Sequence, residues 1–449
     1  MACLPAVGKS GTRPEPLRRP PVRCSHPIRE VPAISRKDQT TDGTITRERD
    51  LHEAPPLWAD SARRSVRHSL KPKARSYDVV IVGAGISGAL MAHALADGRR
   101  SVLVLDRRKP VTGSTLASTA MIQHEIDVPL FDLTRMIGKA KAERAWRRSA
   151  RAVEQLTEIV ADIGIDCAFE RKKTLFLAGD TYGSRALRTE IDARVDAGLV
   201  ATHVDAATLR DRFAIDRTGA ILSDISASAD PARLAAGLLR AAAARGAEIV
   251  SGPEISDFHA TGDEVVLATS GGDLLVAGDA VFCTGYEFLK TLSSKQHAIV
   301  STWALASRPG LDLPDWLDDH IVWEGSDPYL YLRRNPDGRL IAGGEDEESE
   351  TAYLDAAKRK AKMARIVEKA EALIGCRIGK PDYAWSAPFG TTTTGLPLIG
   401  TVPGETHVHA VMGFGGNGIT FSQIAAEVVS AAINGHKDAD ADLFRFKDG

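Results

Sequence analysis

Residues 77–108 read YDVVIVGAGISGALMAHALADGRRSVLVLDRR, and this stretch restricts the fold more than any other. Residues 78–82 form a β-branched apolar run of strand length, suited to a buried parallel strand. The run stops at a G-x-G-x-x-G made by Gly83, Gly85 and Gly88. Gly83 permits the tight turn, Gly85 lets backbone approach a pyrophosphate, and Gly88 lets the next helix pack against the sheet. That helix, opened by Ile86 and Ser87 and running to about residue 96, aims its N-terminal N–H groups and positive dipole end at phosphates. Residues 101–105 are the second strand, and Asp106 follows Gly88 by 18 residues, near the spacing of the acid that binds a ribose hydroxyl. The order strand, glycine turn, helix, strand and acid marks a dinucleotide site. An acid at 106 argues against a 2′-phosphate, although Arg107 and Arg108 beside it weaken that point.

At 449 residues the chain is long enough for two or three domains. A net charge of −2 gives no reason to expect nucleic acid or an anionic membrane as partner. The five cysteines are scattered without a C-x-x-C, so neither a disulfide framework nor a metal site is expected, and a reducing, cytoplasmic setting is the default. No apolar run approaches the length of a membrane span.

Taken in order, residues 1–45 are rich in proline and basic residues, without apolar periodicity, and read as a disordered tail. Residues 46–76 follow as an N-terminal arm, with Leu51, Leu57, Trp58, Val66 and Leu70 able to pack on the body. A small, hydroxyl-rich segment spans 113–120 and includes Ser114, Thr115, Thr119 and Ala120. It leaves room for something flat, or is an ordinary surface loop. Helical patterns occupy 135–163 and 182–197, with a hairpin-like alternation at 167–177 between them. Asp230 and Pro231 cap and open an alanine-rich helix, and residues 247–250 return as a strand to the first sheet. A small meander at 264–269 and 274–276 precedes a strand at 279–283 that ends in Thr284 and Gly285. Residues 298–344 are strand-rich, and 353–374 read as a helix stopped by Gly375. Finally, Gly415, Gly416, Asn417, Gly418, Ile419 and Thr420 form a second glycine-rich junction into a helix over 421–433, which suggests that the C-terminus returns to the nucleotide.

These pieces together resemble the FAD-dependent oxidoreductases of the D-amino-acid oxidase superfamily, in the branch of glycine, sarcosine and γ-glutamylputrescine oxidases. The resemblance covers about 50–433 and rests on the segments above plus Tyr331-Leu332-Arg333, Asp337-Gly338-Arg339 and Gly343-Gly344-Glu345-Asp346. It implies an α/β fold: a Rossmann-type FAD-binding domain over 77–125, 217–285 and 385–435, and an antiparallel-sheet substrate domain over 126–216 and 286–384. The cofactor-binding residues it implies are those of the fingerprint with Asp106 and Arg107, the 114–120 segment, Ile255 against adenine, Thr284, Gly285, and 415–420. Three departures from the family's pattern stand out. No cysteine lies in 385–400 or 413–420, so the FAD is expected to be noncovalent. No lysine lies in 338–345, where some oxidases place one beside the flavin, and Thr394 replaces an acid.

The implied reaction is oxidation of a small amine or amino acid to an imine by hydride transfer to the flavin, with oxygen or another acceptor taking the electrons. Candidate catalytic residues are Glu345, to draw in the substrate nitrogen, Tyr331, and Arg333, to clamp a carboxylate. Arg333 equally reads as a solvated charge on an exposed hairpin, and Glu345 as part of a solvated acidic loop. Tyr329, Trp323 and Trp385 are further pocket candidates. An NAD-linked dehydrogenase would explain 83–106 but not the C-terminal return. A non-enzymatic flavoprotein would bind FAD without turnover.

Overall fold

The structure is a computed structural model and describes residues 49–292, 294 and 296–446, so the expected tail at 1–45 lies outside the described residues. The fingerprint strand Ser76–Val82 sits at the centre of a parallel sheet. On one side it pairs with Val102–Asp106, then Glu248–Ser251; on the other with Leu274–Phe282, then Val408–Met412. Counted along the chain, these strands lie in the order 3-2-1-4-5. In such a sheet the order reverses beside the first strand, which opens a crevice at the carboxyl ends. Val79 and Ile81 face one apolar cluster while Val80 and Val82 face another, so the strand is buried on both sides. Helix Ile86–Leu95 is enclosed by helices Pro231–Ala244 and Gly418–Ile433, which accounts for its being apolar almost all round.

Helix punctuation follows the sequence closely. Asp230 accepts from the N–H groups of Ala232 and Arg233 at 2.9 and 3.0 Å, with Pro231 in the first turn. Gly375 closes Ala356–Ile374 in the left-handed conformation, φ 67°. The helix expected over 135–163 is instead two, Leu130–Ile137 and Lys139–Ile163, broken at Gly138 with φ 90°. The hairpin expected at 167–177 is a single strand, Glu170–Leu177. The meander and the strand at 279–283 merge, because Leu274–Phe282 runs antiparallel to Val265–Thr269 and then parallel to the fingerprint strand.

The second sheet has nine strands. Its order is Tyr383–Thr392, His297–Ala306, Leu340–Glu347, Leu330–Arg334, His320–Glu324, Glu170–Leu177, Gly219–Ser228 and Met121–Gln123, with Thr202–Asp205 also on Gly219–Ser228. Every pairing is antiparallel except that of His320–Glu324 with Glu170–Leu177. The expected domain boundaries do not coincide with this division. Met121–Gln123, Gly219–Ser228 and most of Tyr383–Thr392, all assigned from sequence to the nucleotide domain, pair in the second sheet. Their partners lie far away in the chain, so no local pattern marks the change. Both sheets belong to one compact unit, 44–449. The arm packs onto it: Leu57, Trp58 and Val66 are buried, although Leu70 is 72 % exposed. Trp58 Nε1 donates to the Ser118 carbonyl at 2.6 Å, and Glu53 and Ser69 bridge to Ser386 and Val250.

Candidate active site

Residues from both sheets line a cavity of about 550 Å³. At one end the fingerprint loop supplies Gly83, Gly85, Ile86 and Ser87. A Cβ at Gly83 would run into the Cys283 carbonyl, and one at Gly88 would overlap the Gly83 carbonyl. Gly88 itself is buried behind the loop and does not line the cavity. Thr115 Oγ1 accepts from Ile86 N–H at 3.0 Å, which ties the hydroxyl-rich segment to the helix start. Asp106 lines the cavity and accepts from Ala84 and Arg108 N–H at 2.7 and 2.8 Å. Those contacts hold the glycine loop and leave other carboxylate lone pairs for a ribose hydroxyl. Burial raises its carboxyl, and the two N–H groups oppose the rise. Arg107 and Arg108 are bound by Glu254 and Glu287 at 2.5–2.8 Å.

The second glycine-rich junction meets the same cavity. Gly415, Gly416, Asn417, Gly418 and Ile419 line it, together with Ser114, Thr115, Thr119, Ile255, Thr284 and Gly285. Helices Ile86–Leu95 and Gly418–Ile433 thus point their N-terminal ends into one space, and Ser87 and Ser422 hydroxyls join them at 2.7 Å. Ala120 and Thr420 stand behind: Ala120 is buried, and Thr420 donates to the Gln123 carbonyl at 2.9 Å. Glycines open to the cavity, two helix N-termini, and an acid closing the second strand are the groups a bound dinucleotide requires, so the residues fit FAD.

Tyr329, Tyr331, Thr302 and Asp346 line the other end, with Asp127, Trp323, Phe176 and Tyr182. Tyr331 crosses from Gly343, where a Cβ would overlap its hydroxyl; the small residue makes room for the phenol. Tyr329 donates to Asp346 Oδ2 at 2.7 Å. Burial pushes the Asp346 carboxyl up to about 6, the Thr302 and Tyr329 hydroxyls hold it down, and Asp127 adds to the rise. Asp127 is set deep in the protein yet open to the cavity, and accepts from Gly416 N–H at 2.8 Å. Burial raises it as well, against that hydrogen bond. Both tyrosines are raised by burial first, so their phenols stay protonated and act as donors.

Two of the three expected catalytic residues are elsewhere. The Glu345 carboxylate is buried against Lys369 at 2.6 Å, Arg365 at 2.9 Å and Lys362 at 3.6 Å, on the side of helix Ala356–Ile374. The cause is a β-bulge. Strand pairing shifts between Trp303–Gly344 and Ser301–Glu347, so Glu345 and Asp346 together oppose Thr302. Glu345 takes φ 60°, the alternation inverts, and Asp346 receives the cavity side. Arg333 is not exposed but 1 % accessible, and donates to the Thr119 and Ala229 carbonyls at 2.8 and 3.0 Å. Burial lowers it to about 10. Arg333→Leu should therefore cost roughly 2–3 kcal/mol from lost charge-assisted bonds, seen as a lower melting temperature. Trp385 is buried and donates to the Ala117 carbonyl at 2.9 Å, outside the cavity. Sequence reading missed Asp127, Phe176 and Tyr182. It quoted Asp346 but passed over it for its neighbour.

Among the described residues, no helix is long and apolar enough to cross a membrane, and no group of His, Cys, Asp or Glu is placed to hold a metal ion. The chain is 22 % identical over 372 residues to a Haemophilus influenzae protein described as probable oxidoreductase OrdL, covering 80 % of this chain and 83 % of that one. Glycine oxidase from Geobacillus kaustophilus shares the fold with a TM-score of 0.69 at 21 % identity, over 84 % of this chain and 100 % of its own. L-proline dehydrogenase from P. horikoshii does so with a TM-score of 0.66 at 17 % identity, over 85 % and 97 %. The sequence profile of the FAD dependent oxidoreductase family DAO matches residues 78–432. The chain belongs to that family, and is an FAD-dependent oxidoreductase.

Proposed function

We propose that the cavity holds FAD along its glycine-lined end and that the enzyme oxidises a small amine or amino acid at the end formed by Tyr329, Tyr331 and Asp346. The observation that carries this is continuity: one cavity joins both helix N-termini to a carboxylate flanked by two phenols. Gly83, Gly85, Ile86, Ser87, Asp106 and Thr115 would hold the nucleotide half, and residues 415–419 would help to hold the flavin half. FAD held there would supply a hydride acceptor for the carbon bearing the substrate nitrogen, and water would hydrolyse the resulting imine to a carbonyl compound and an amine or ammonia.

The chain's own part is orientation, charge and exclusion of water. The Asp346 carboxylate, ionised above about pH 6, draws in a substrate ammonium and is the site's candidate acceptor for its proton. Tyr329 fixes that carboxylate by its hydrogen bond. The N-terminus of helix Gly418–Ile433 directs partial positive charge into the same cavity.

The flavin is expected to be noncovalent. Among the described residues the one cysteine lining the cavity is Cys283, and burial pushes its thiol up to about 12, which keeps it un-nucleophilic. Acid precipitation should leave the yellow colour in solution; colour retained in the pellet would contradict this. The proposal as a whole is tested by incubating purified protein with amines and amino acids and an artificial acceptor dye. Dye reduction with an equimolar carbonyl product is expected for at least one compound. A protein that carries FAD yet reduces no dye with any of them would be a binding protein instead.

A further inference from the structure

Resting on the amine-oxidation reading above, the charges at the substrate end restrict the substrate further. We infer that it is an amine without an α-carboxylate and with a second positive charge, of the aliphatic diamine class. Among the described residues, the cations lining the cavity are Arg107 and Arg108. Both belong to the nucleotide end, and Glu254 and Glu287 already bind them. The far end offers no lysine, arginine or histidine among the described lining residues to meet a carboxylate. Arg333, the one sequence candidate for that task, is buried on backbone carbonyls instead.

The acids there are only partly neutralised. Glu324 pairs with Arg217 at 3.2 Å, but Asp127 and Asp346 have no ion-pair partner among the described residues. Glu125, 3 % exposed, also lines the cavity; its Oε1 lies 3.5 Å from Arg194, while its Oε2, 3.3 Å from His124 Nδ1, accepts no hydrogen bond. Asp127 raises the cost of ionising Asp346, which positive charge brought between them would relieve. A carboxylate on the substrate would instead meet like charge in a space withdrawn from water. Beyond them, Phe176 stacks on Trp323 at 3.9 Å and lies 5.7 Å from Tyr182. This aromatic wall suits a methylene chain and a cationic head.

The test compares cadaverine, lysine (the same chain with a carboxylate added) and n-pentylamine (one nitrogen removed) with the FAD-loaded enzyme under anaerobic conditions. Rapid mixing reads flavin bleaching, and calorimetry reads binding of cadaverine at two salt concentrations. Cadaverine is expected to exceed lysine by at least ~100-fold and pentylamine by at least ~10-fold in rate over dissociation constant. Its binding should weaken with salt. Asp127→Asn should narrow the gap between cadaverine and pentylamine. Lysine or a neutral amino acid matching cadaverine overturns the inference and leaves amine oxidation standing. Pentylamine matching cadaverine removes the second charge from it. Bleaching by dithionite but by none of these compounds overturns the inference, and dye reduction by no compound of the wider amine and amino-acid panel overturns amine oxidation as well.

Discussion

Gly88→Ala is expected to purify without flavin. The residue never touches the cavity, but a methyl there would overlap the Gly83 carbonyl, so the glycine turn and the helix start cannot both keep their places. Backbone cannot swing aside as a side chain would. The loss should therefore fall on the turn that receives the pyrophosphate. Gly262→Ala is the matched control: a Cβ there meets nothing within 4 Å, and flavin content and melting temperature should not change. FAD measured by absorbance against protein decides it. Full occupancy in Gly88→Ala would mean the cofactor does not use this turn.

The second large effect is expected at Asp346. Asp346→Asn removes the negative charge proposed to meet the substrate nitrogen but keeps the shape, and should slow amine-driven flavin reduction by ~100-fold, about 2.7 kcal/mol. Glu345→Gln, one residue away, should leave that rate within about twofold and lower the melting temperature, because it weakens a buried cluster with Lys362, Arg365 and Lys369. The two variants separate the faces of one strand. The pH profile carries the same information. Asp346 is raised to about 6, so the ammonium-binding form is lost as pH falls through that value, and wild-type reduction should decline there. In Asp346→Asn this acid limb should be absent. The sign for stability is opposite to that of an ordinary surface acid. A folded-state pKa above the unfolded one favours the fold at low pH, and that contribution is lost as pH rises through about 6. Asp346→Asn should therefore melt higher than wild type at pH 8 and not at pH 4.

Much of the cofactor end was legible in the sequence because its requirements are local. A strand, glycines at three fixed spacings and a terminal acid leave little freedom, and the caps at Asp230 and Gly375 are equally short-range. The substrate end was not legible in the same way. Gly219–Ser228 and Tyr383–Thr392 owe their sheet to partners distant in the chain, which periodicity does not report. Simple alternation along Leu340–Glu347 does place Glu345 with Ile341 and Gly343, on the side of Tyr331. The bulge opposite Thr302 reverses that assignment, and it exists only in the pairing with His297–Ala306. Asp127 gives no signal at all. It lies in irregular chain between Met121–Gln123 and Leu130–Ile137, and reaches Gly416 across 289 residues. Gly343 is the intermediate case: a small residue in a strand announces a close approach, here that of the Tyr331 phenol, without saying by what.

The central claim, that FAD and an amine meet in this one cavity, is tested most directly by mixing the yellow protein anaerobically with increasing substrate amine and following the flavin's visible band. The account predicts complete bleaching with one equivalent of amine consumed per flavin, return of colour when an acceptor is admitted, and bleaching ~100-fold slower with the same amine in Asp346→Asn. Bleaching that proceeds equally fast in wild type and Asp346→Asn while failing in Glu345→Gln would contradict it, and would place the substrate on the other face of the strand.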